Sequence, residues 1–184
     1  KADLTDQEAI ANLKIKGVDA LIHLAAQSSG PKSFSIPEID IKLNILGTLN
    51  AIKICENNCI DRIIYASSFV VYGDVNNSNN QAIKENTCCN PKSVYANSKL
   101  CSENLLKVYA QPKGIKWNTI RMFNVYGPGQ DLNNLRQGMV SIYLEQARKK
   151  KKIKVKGSLK RIRDFVYIDD VVDIWIKSIN KNIK

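Results

Sequence analysis

Short runs rich in β-branched residues alternate along this chain with longer stretches whose apolar positions recur every three or four residues. The runs at 18–25 (VDALIHLA), 62–68 (RIIYASS) and 117–124 (WNTIRMFN) predict strands. They are nearly continuous in apolar residues, the pattern of strands covered on both faces of a parallel sheet. Between them, 37–56 carries Ile41, Ile45, Leu49, Ile52 and Cys55 at helical spacing, and Pro37 suits a first helical turn. Helices are also expected at 94–109, after Pro91, and at 137–150. Further on, 152–156 and 164–168 predict shorter strands, and Asp169 is expected to cap a final helix running towards Asn180. The polar, Asn-rich stretch 75–86 predicts a surface loop. Alternation of this kind belongs to βαβ units, so the fold class is α/β, a doubly wound parallel sheet.

Composition changes little in that picture. The chain has 184 residues, enough for one α/β domain, with 44% apolar and 24% charged residues. No run of about 18 apolar residues occurs, so no membrane-spanning helix is expected. The first residues lack the apolar core of a signal peptide, and a cytoplasmic enzyme is the simplest expectation. The net charge of +11 is concentrated in Arg148 to Lys152 and in Lys154, Lys156, Lys160, Arg161 and Arg163. Such a run is a solvated face, or a cationic rim for an anionic substrate. No aromatic-interleaved basic motif accompanies it, so nucleic acid is not expected as a partner. Cys55, Cys59, Cys88, Cys89 and Cys101 contain no CxxC pair, and His23 is the lone histidine. Reduced thiols and no metal site are expected.

The segment Tyr95-Ala96-Asn97-Ser98-Lys99 brings in chemistry. On a helix, Tyr95 and Lys99 project from one face. A phenol titrates near 10 on its own, and a neighbouring ammonium favours the phenolate. Taken alone, the pair is a weak signal and reads as an exposed aromatic beside a solvated lysine. Upstream, however, the predicted strand 62–68 ends in Ser67 and Ser68. In parallel α/β sheets ligands sit beyond the carboxyl ends of strands, where a serine hydroxyl can share a proton with Tyr95.

Together with other blocks, these residues resemble the extended short-chain dehydrogenase/reductases, specifically the nucleotide-sugar epimerase/dehydratase group of the UDP-glucose 4-epimerase type. The resemblance runs through Asp3-Leu4, His23-Leu24-Ala25-Ala26-Gln27 and Asn44-Ile45-Leu46-Gly47-Thr48-Leu49-Asn50. It continues through Tyr65-Ala66-Ser67-Ser68 with Val71-Tyr72-Gly73, and through the Tyr95–Lys99 segment. Arg121-Met122-Phe123-Asn124-Val125-Tyr126-Gly127-Pro128-Gly129 and Arg163-Asp164-Phe165-Val166-Tyr167-Ile168-Asp169-Asp170-Val171 complete it.

What the resemblance implies for the fold is a Rossmann-like, doubly wound parallel sheet with NAD as cofactor. Residues 1–130 would form the central and C-terminal part of the NAD-binding domain, and 131–184 the start of the substrate-binding region, interleaved with the sheet. No glycine-rich phosphate loop precedes Lys1, where such a sheet should begin with one. The chain is therefore expected to be truncated, lacking its first βαβ unit and most of the C-terminal lobe.

The resemblance also implies roles. Counting back from Val71-Tyr72-Gly73, Ser68 is the catalytic serine, also touching substrate, with Ser67 beside it on the cofactor side. Tyr95 is the acid/base, and Lys99 lowers its pKa and holds the nicotinamide ribose. Asp3 and Leu4 contact adenine. His23, Leu24, Ala25, Ala26 and Gln27 follow the strand that passes the cofactor pyrophosphate and ribose. Asn44 steadies the strand ends, and Met122 falls among the cofactor contacts. Asn124 and Arg163 contact substrate, Arg163 through the nucleotide diphosphate, whose geometry suits a guanidinium fork. From the residues alone, His23 is equally a satisfied strand-end histidine, and Arg163-Asp164 equally a surface ion pair.

The implied reaction is transient oxidation. Tyr95 takes the proton of the sugar 4-hydroxyl, bound NAD+ accepts hydride from C4, the 4-keto sugar rotates, and hydride returns to the other face. Family 4,6-dehydratases carry acidic residues just after the catalytic Ser/Thr. Here Phe69 and Val70 stand there, so epimerisation is preferred over dehydration. A UDP-uronate decarboxylase, a reductase or a non-catalytic dinucleotide-binding member are the alternatives. The family further implies a supply role in polysaccharide biosynthesis, and a homodimer through a four-helix bundle built from 37–56 and 94–109.

Overall fold

The structure, a computed structural model, describes residues 2–74, 82–134, 138–155, 157–159 and 162–179. The chain divides into two compact units, Lys1–Arg121 and Met122–Lys184.

In the first unit the Asp6 carboxylate accepts the amide hydrogen of Ala9 at 3.0 Å and so starts α1 (Gln7–Ala11). β1 (Leu21–His23) is followed by α2 (Gly30–Ser35), whose Ser29 hydroxyl accepts from the Lys32 amide. A continuous helical run then comprises α3 (Pro37–Asp40), a π-helical stretch (Ile41–Leu46) and α4 (Gly47–Asn57). β2 (Arg62–Ser68) ends in a 3₁₀ turn, Phe69–Tyr72. The Ser93 hydroxyl caps α5 (Val94–Leu105), which continues as a second π-helical stretch (Leu106–Ala110) and leads to β3 (Lys116–Met122).

The strands order as β1-β2-β3, with β1 and β2 parallel in the register Leu21↔Ile63, Ile22↔Ile64 and His23↔Tyr65. β2 is buried along nearly its whole length, as its continuous apolar run requires of a central strand. The core gathers Ile10, Ile52, Ile54, Cys55, Ile63, Tyr65 and Leu106 from that strand and from helices on either side of it in sequence. Each such aliphatic side chain contributes about 2 kcal/mol on burial. Burial also pushes the Cys55 thiol up to about 12, so it packs as an apolar group.

In the second unit β4 (Asn124–Tyr126) pairs in parallel with β5 (Phe165–Tyr167), and the Tyr126 ring meets those of Phe165 and Tyr167 edge-on. α6 (Met139–Lys150) and α7 (Ile168–Ile179) complete it. No helix among the described residues is long and apolar enough to cross a membrane.

Several expectations are corrected. The strand at 18–25 shrinks to Leu21–His23, because beyond His23 the backbone leaves the ladder. The strand at 117–124 breaks at Phe123 into β3 and β4. Residues 152–155 form no strand: the Lys154 amide donates to the Gln146 side chain at 2.7 Å and not to a neighbouring strand, while Lys156 lies outside the described residues. Asp169 is not the cap of the last helix, which starts one residue earlier and holds Asp169 and Asp170 in its first turn, where they favour the helix dipole. Of the predicted loop, 75–81 lies outside the described residues, and 82–86 has no regular helix or strand.

Candidate active site

Ser93 fixes where α5 begins, its hydroxyl accepting from the Ala96 amide at 3.0 Å. That start sets the rotation of the helix, and Tyr95 and Lys99 then point at the carboxyl end of β2. Lys99 Nζ donates to the carbonyl oxygen of Ala66 at 2.8 Å, 5.0 Å from the centre of the Tyr65 ring and 5.9 Å from that of Tyr95. Only 4% of Lys99 is exposed. Burial brings its ammonium down to about 8, with the Asp40 carboxylate acting in the opposite direction.

The Ser68 hydroxyl lies beside the phenol of Tyr95 and acts to lower its pKa. Burial nevertheless raises the Tyr95 pKa, outweighing the lowering by Ser68, and Asp40 raises it further. The lowered phenol expected from Lys99 is therefore not found: the ammonium is engaged with the Ala66 carbonyl, and desolvation dominates at Tyr95.

Behind this cluster lies a buried polar network. Asn44 accepts from the Gln27 amide at 2.8 Å, and its side-chain amide donates to the Gln27 carbonyl, to Asp40 and to the Ser98 hydroxyl at 3.1, 3.2 and 2.8 Å. The Gln27 side chain donates to both Asp40 oxygens at 3.1 and 3.0 Å. Ser98 donates to the Tyr95 carbonyl at 2.8 Å, so the network runs from the β1 exit to the first turn of α5. Asp40 is fully buried, and that burial raises its pKa. Such a network rigidifies what it connects when its polar groups are satisfied.

His23 is buried and drawn down to about 4, chiefly by desolvation and then by the Lys99 charge, so its ring is neutral at pH 7. The Thr48 hydroxyl gives its one proton to the Asn44 carbonyl at 2.6 Å. The 3.1 Å contact between His23 Nε2 and Thr48 Oγ1 is therefore donated by the ring, which assigns the Nε2–H tautomer.

The remaining expected residues fall as follows. Leu24 and Ala25 are exposed where the chain leaves β1, Leu24 to 61%, and Ala26 is half-buried. Asp3 is exposed and accepts from the Thr5 amide at 2.8 Å, which lowers its pKa. The Leu4 carbonyl accepts from the Asn50 side chain at 2.7 Å. Ser67 is buried, its hydroxyl donating to Glu103 at 2.5 Å. Met122 ends β3, half-buried. In the second unit the Asn124 side chain donates to the Asp164 carbonyl at 2.8 Å, which brings Asn124 beside the segment that carries Arg163. Arg163 donates to the Ile162 carbonyl.

Asp40, Thr48, Ser98, Glu103 and Arg121 were not singled out from the sequence. Asp40 precedes Asn44 by four residues and Glu103 follows Lys99 by four, spacings that would have flagged both as facing the same way as residues already marked. Among the described residues no group of His, Cys, Asp or Glu is arranged to hold a metal ion.

The profile of the NAD dependent epimerase/dehydratase family matches residues 1–184. The chain is 34% identical over 180 residues to a putative UDP-glucose 4-epimerase of Methanocaldococcus jannaschii, covering 97% of the chain and 58% of that relative. It is 32% identical over 184 residues to the dTDP-D-glucose 4,6-dehydratase of Dictyostelium discoideum, covering 95% of the chain and 42% of that relative. Among solved structures, the Thermus thermophilus UDP-glucose 4-epimerase in complex with NAD matches with a TM-score of 0.82 at 31% identity, over 97% of the chain and 58% of that one. The chain thus spans about half the length of the curated relatives it matches. With a parallel sheet of Rossmann type and a match that runs from its first residue to its last, it belongs to the NAD dependent epimerase/dehydratase family, within the extended short-chain dehydrogenase/reductases.

Proposed function

We propose that the protein is an NAD-dependent nucleotide-sugar epimerase that inverts C4 of a UDP-sugar through a transient 4-keto intermediate. The observation that carries this reading is the meeting of Ser68, Tyr95 and Lys99 at the end of β2, with Phe69 and Val70 immediately after Ser68. Neither of these two side chains can move a proton, which favours epimerisation over elimination of water.

The residues present suit the cofactor. Lys99 is a buried ammonium that makes no ion pair among the described residues, and donors beyond its bond to Ala66 are available for a ribose diol. The exposed apolar exit of β1 at Leu24 and Ala25 offers surface for a flat ring and its linkage. Asp3 and Leu4 would hold the adenine end. His23, Leu24, Ala25, Ala26 and Gln27, with Asn44, Met122 and the backbone of Ser67, would line the rest. When bound, NAD accepts a hydride from C4 and returns it to the opposite face.

The chain's own part is proton transfer and orientation. Tyr95 removes the 4-hydroxyl proton and later restores it. Ser68 holds the same oxygen and the phenolate in line. Lys99 places a positive charge 5.9 Å from the centre of the Tyr95 ring, on the side from which it would hold the nicotinamide ribose. Residues 1–130 are assigned to the cofactor, and 131–184 to the sugar nucleotide, with Asn124 and Arg163 as contacts. A cytoplasmic homodimer using 37–56 and 94–109, supplying sugars for polysaccharide, completes the proposal.

The test offers UDP-glucose, UDP-N-acetylglucosamine and their uronic acids to the full-length protein, with Tyr95→Phe as control. A 4-epimer formed without net NADH, and absent from the variant, supports the reading. Released carbon dioxide, a stable 4-keto sugar or net NADH would replace it with another C4-oxidising reaction. NAD binding with no turnover of any sugar nucleotide would make the protein a non-catalytic member.

A further inference from the structure

Tyr95, Lys99 and Glu103 lie four residues apart on α5 and form one stripe along it. Each meets a different one of three consecutive residues of β2. Tyr95 meets the Ser68 hydroxyl, Lys99 the Ala66 carbonyl at 2.8 Å, and Glu103 the Ser67 hydroxyl at 2.5 Å. The third contact has no part in the chemistry assigned above, and Ser67 is 2% exposed, so its hydroxyl is closed to a substrate.

Glu103 is held on its other side by Arg121 of β3. The Arg121 Nε lies 3.0 and 3.2 Å from the two carboxylate oxygens, and Nη2 lies 2.6 Å from Oε2. Nη1 donates to the Glu85 carbonyl at 3.1 Å, and the guanidinium carbon sits 4.8 Å from the centre of the Tyr72 ring. The Glu103 carboxylate therefore ties α5 to β2 and β3, and Arg121 extends the tie to the segment before α5, next to the point where Ser68 leaves the sheet. Forked arginine–carboxylate pairs are directional as well as strong, and a short O–H···O⁻ bond belongs to the same charge-assisted class.

We propose that Glu103 is a positioning residue: by gripping Ser67 it sets the Ser68 hydroxyl against Tyr95. Its effect on turnover rests on the roles proposed for Ser68 and Tyr95; its effect on the geometry of that pair does not. Displacements of about 1 Å remote from the chemistry lower rates about a hundredfold, and Glu103 governs such a displacement through a single intervening residue.

The experiment labels tyrosine at Cζ with ¹³C in the full-length protein and assigns the Tyr95 resonance by its loss in Tyr95→Phe. Glu103→Ala and Ser67→Ala are each expected to move that resonance and to raise its titration by roughly half to one pH unit, because a donated hydrogen bond favours the phenolate. Glu103→Gln keeps an acceptor for Ser67 and is expected to restore a wild-type titration. In turnover, the alanine variant of Glu103 should lose about tenfold or more in kcat with KM within about twofold. Folded variants whose Tyr95 resonance and titration match the wild type would overturn the proposal. Should Glu103→Ala fail to fold, Ser67→Ala decides alone, since it leaves the Glu103–Arg121 pair intact. A Tyr95 response in a protein that turns over no sugar nucleotide supports the positioning role while removing the epimerase reading.

Discussion

Lys99 reaches from α5 to the carbonyl oxygen of Ala66, so the residue that would steady a cofactor also fastens the helix to the central strand. Its ammonium is buried, and burial has brought it from 10.5 down to about 8. Between these values the unfolded chain holds a proton that the folded chain has released. Stability should accordingly rise with pH across about 8 to 10.5. Lys99→Met is expected to abolish that rise, to gain about 1–2 kcal/mol at pH 7 in urea denaturation, and to lose activity. A methionine variant less stable than the wild type at pH 7 would refute the account of the buried charge.

Tyr95→Phe removes the hydroxyl proposed to transfer the proton and little else. Turnover should fall by about 10²–10⁴-fold while NAD binding, followed by fluorescence, stays within a few-fold of the wild type. Full activity in the variant would eliminate Tyr95 as the acid/base.

His23 makes a second pH prediction of the same sign in a different window. Its folded value is about 4 against 6.5 unfolded, so the unfolded chain takes up a proton first as pH falls. Stability is unaffected above about 6.5 and declines towards pH 4, by about 3 kcal/mol at most. His23→Asn should flatten the profile between pH 7 and 4.5 in denaturant titrations. An unchanged slope would assign it to another group.

Gly73 follows the 3₁₀ turn with φ +65, and a Cβ there would lie 1.9 Å from the Asn90 carbonyl oxygen. The amide of Asn90 donates to Val71 across the same approach at 3.0 Å, so the backbone has little room to retreat. Gly73→Ala should destabilise the protein by roughly 2–4 kcal/mol, from strained φ and steric overlap together. A melting temperature equal to that of the wild type would contradict the close approach.

How much of this was legible in the sequence depends on how local each signal is. The strand 62–68 was readable to its last residue, because a central strand announces itself by an unbroken apolar run. The pairing of Tyr95 with Lys99 followed from helical spacing alone. Ser93 as a cap explains why α5 starts at Val94. By contrast, 152–156 mimics a strand through alternating lysines and β-branched residues, a pattern that says nothing about whether a partner strand is near. Asp40 reads as a polar residue on an ordinary helix face, and the amides of Gln27 and Asn44, with the charges of Lys32 and Lys99, make its burial tolerable. Glu103 sits on the same stripe as Lys99, yet its partner Arg121 is eighteen residues further on in another element. Contacts of that kind are created by folding and leave no periodic trace.

The stripe on α5 bears on how this stretch can change length over descent. One residue added or lost between Tyr95 and Glu103 would turn the rest of the helix by about 100°. Ser68, Ala66 and Ser67 could then no longer all keep their attachments. Lineages of this protein should therefore vary in length outside that nine-residue interval and keep its count unaltered, even where the letters between change.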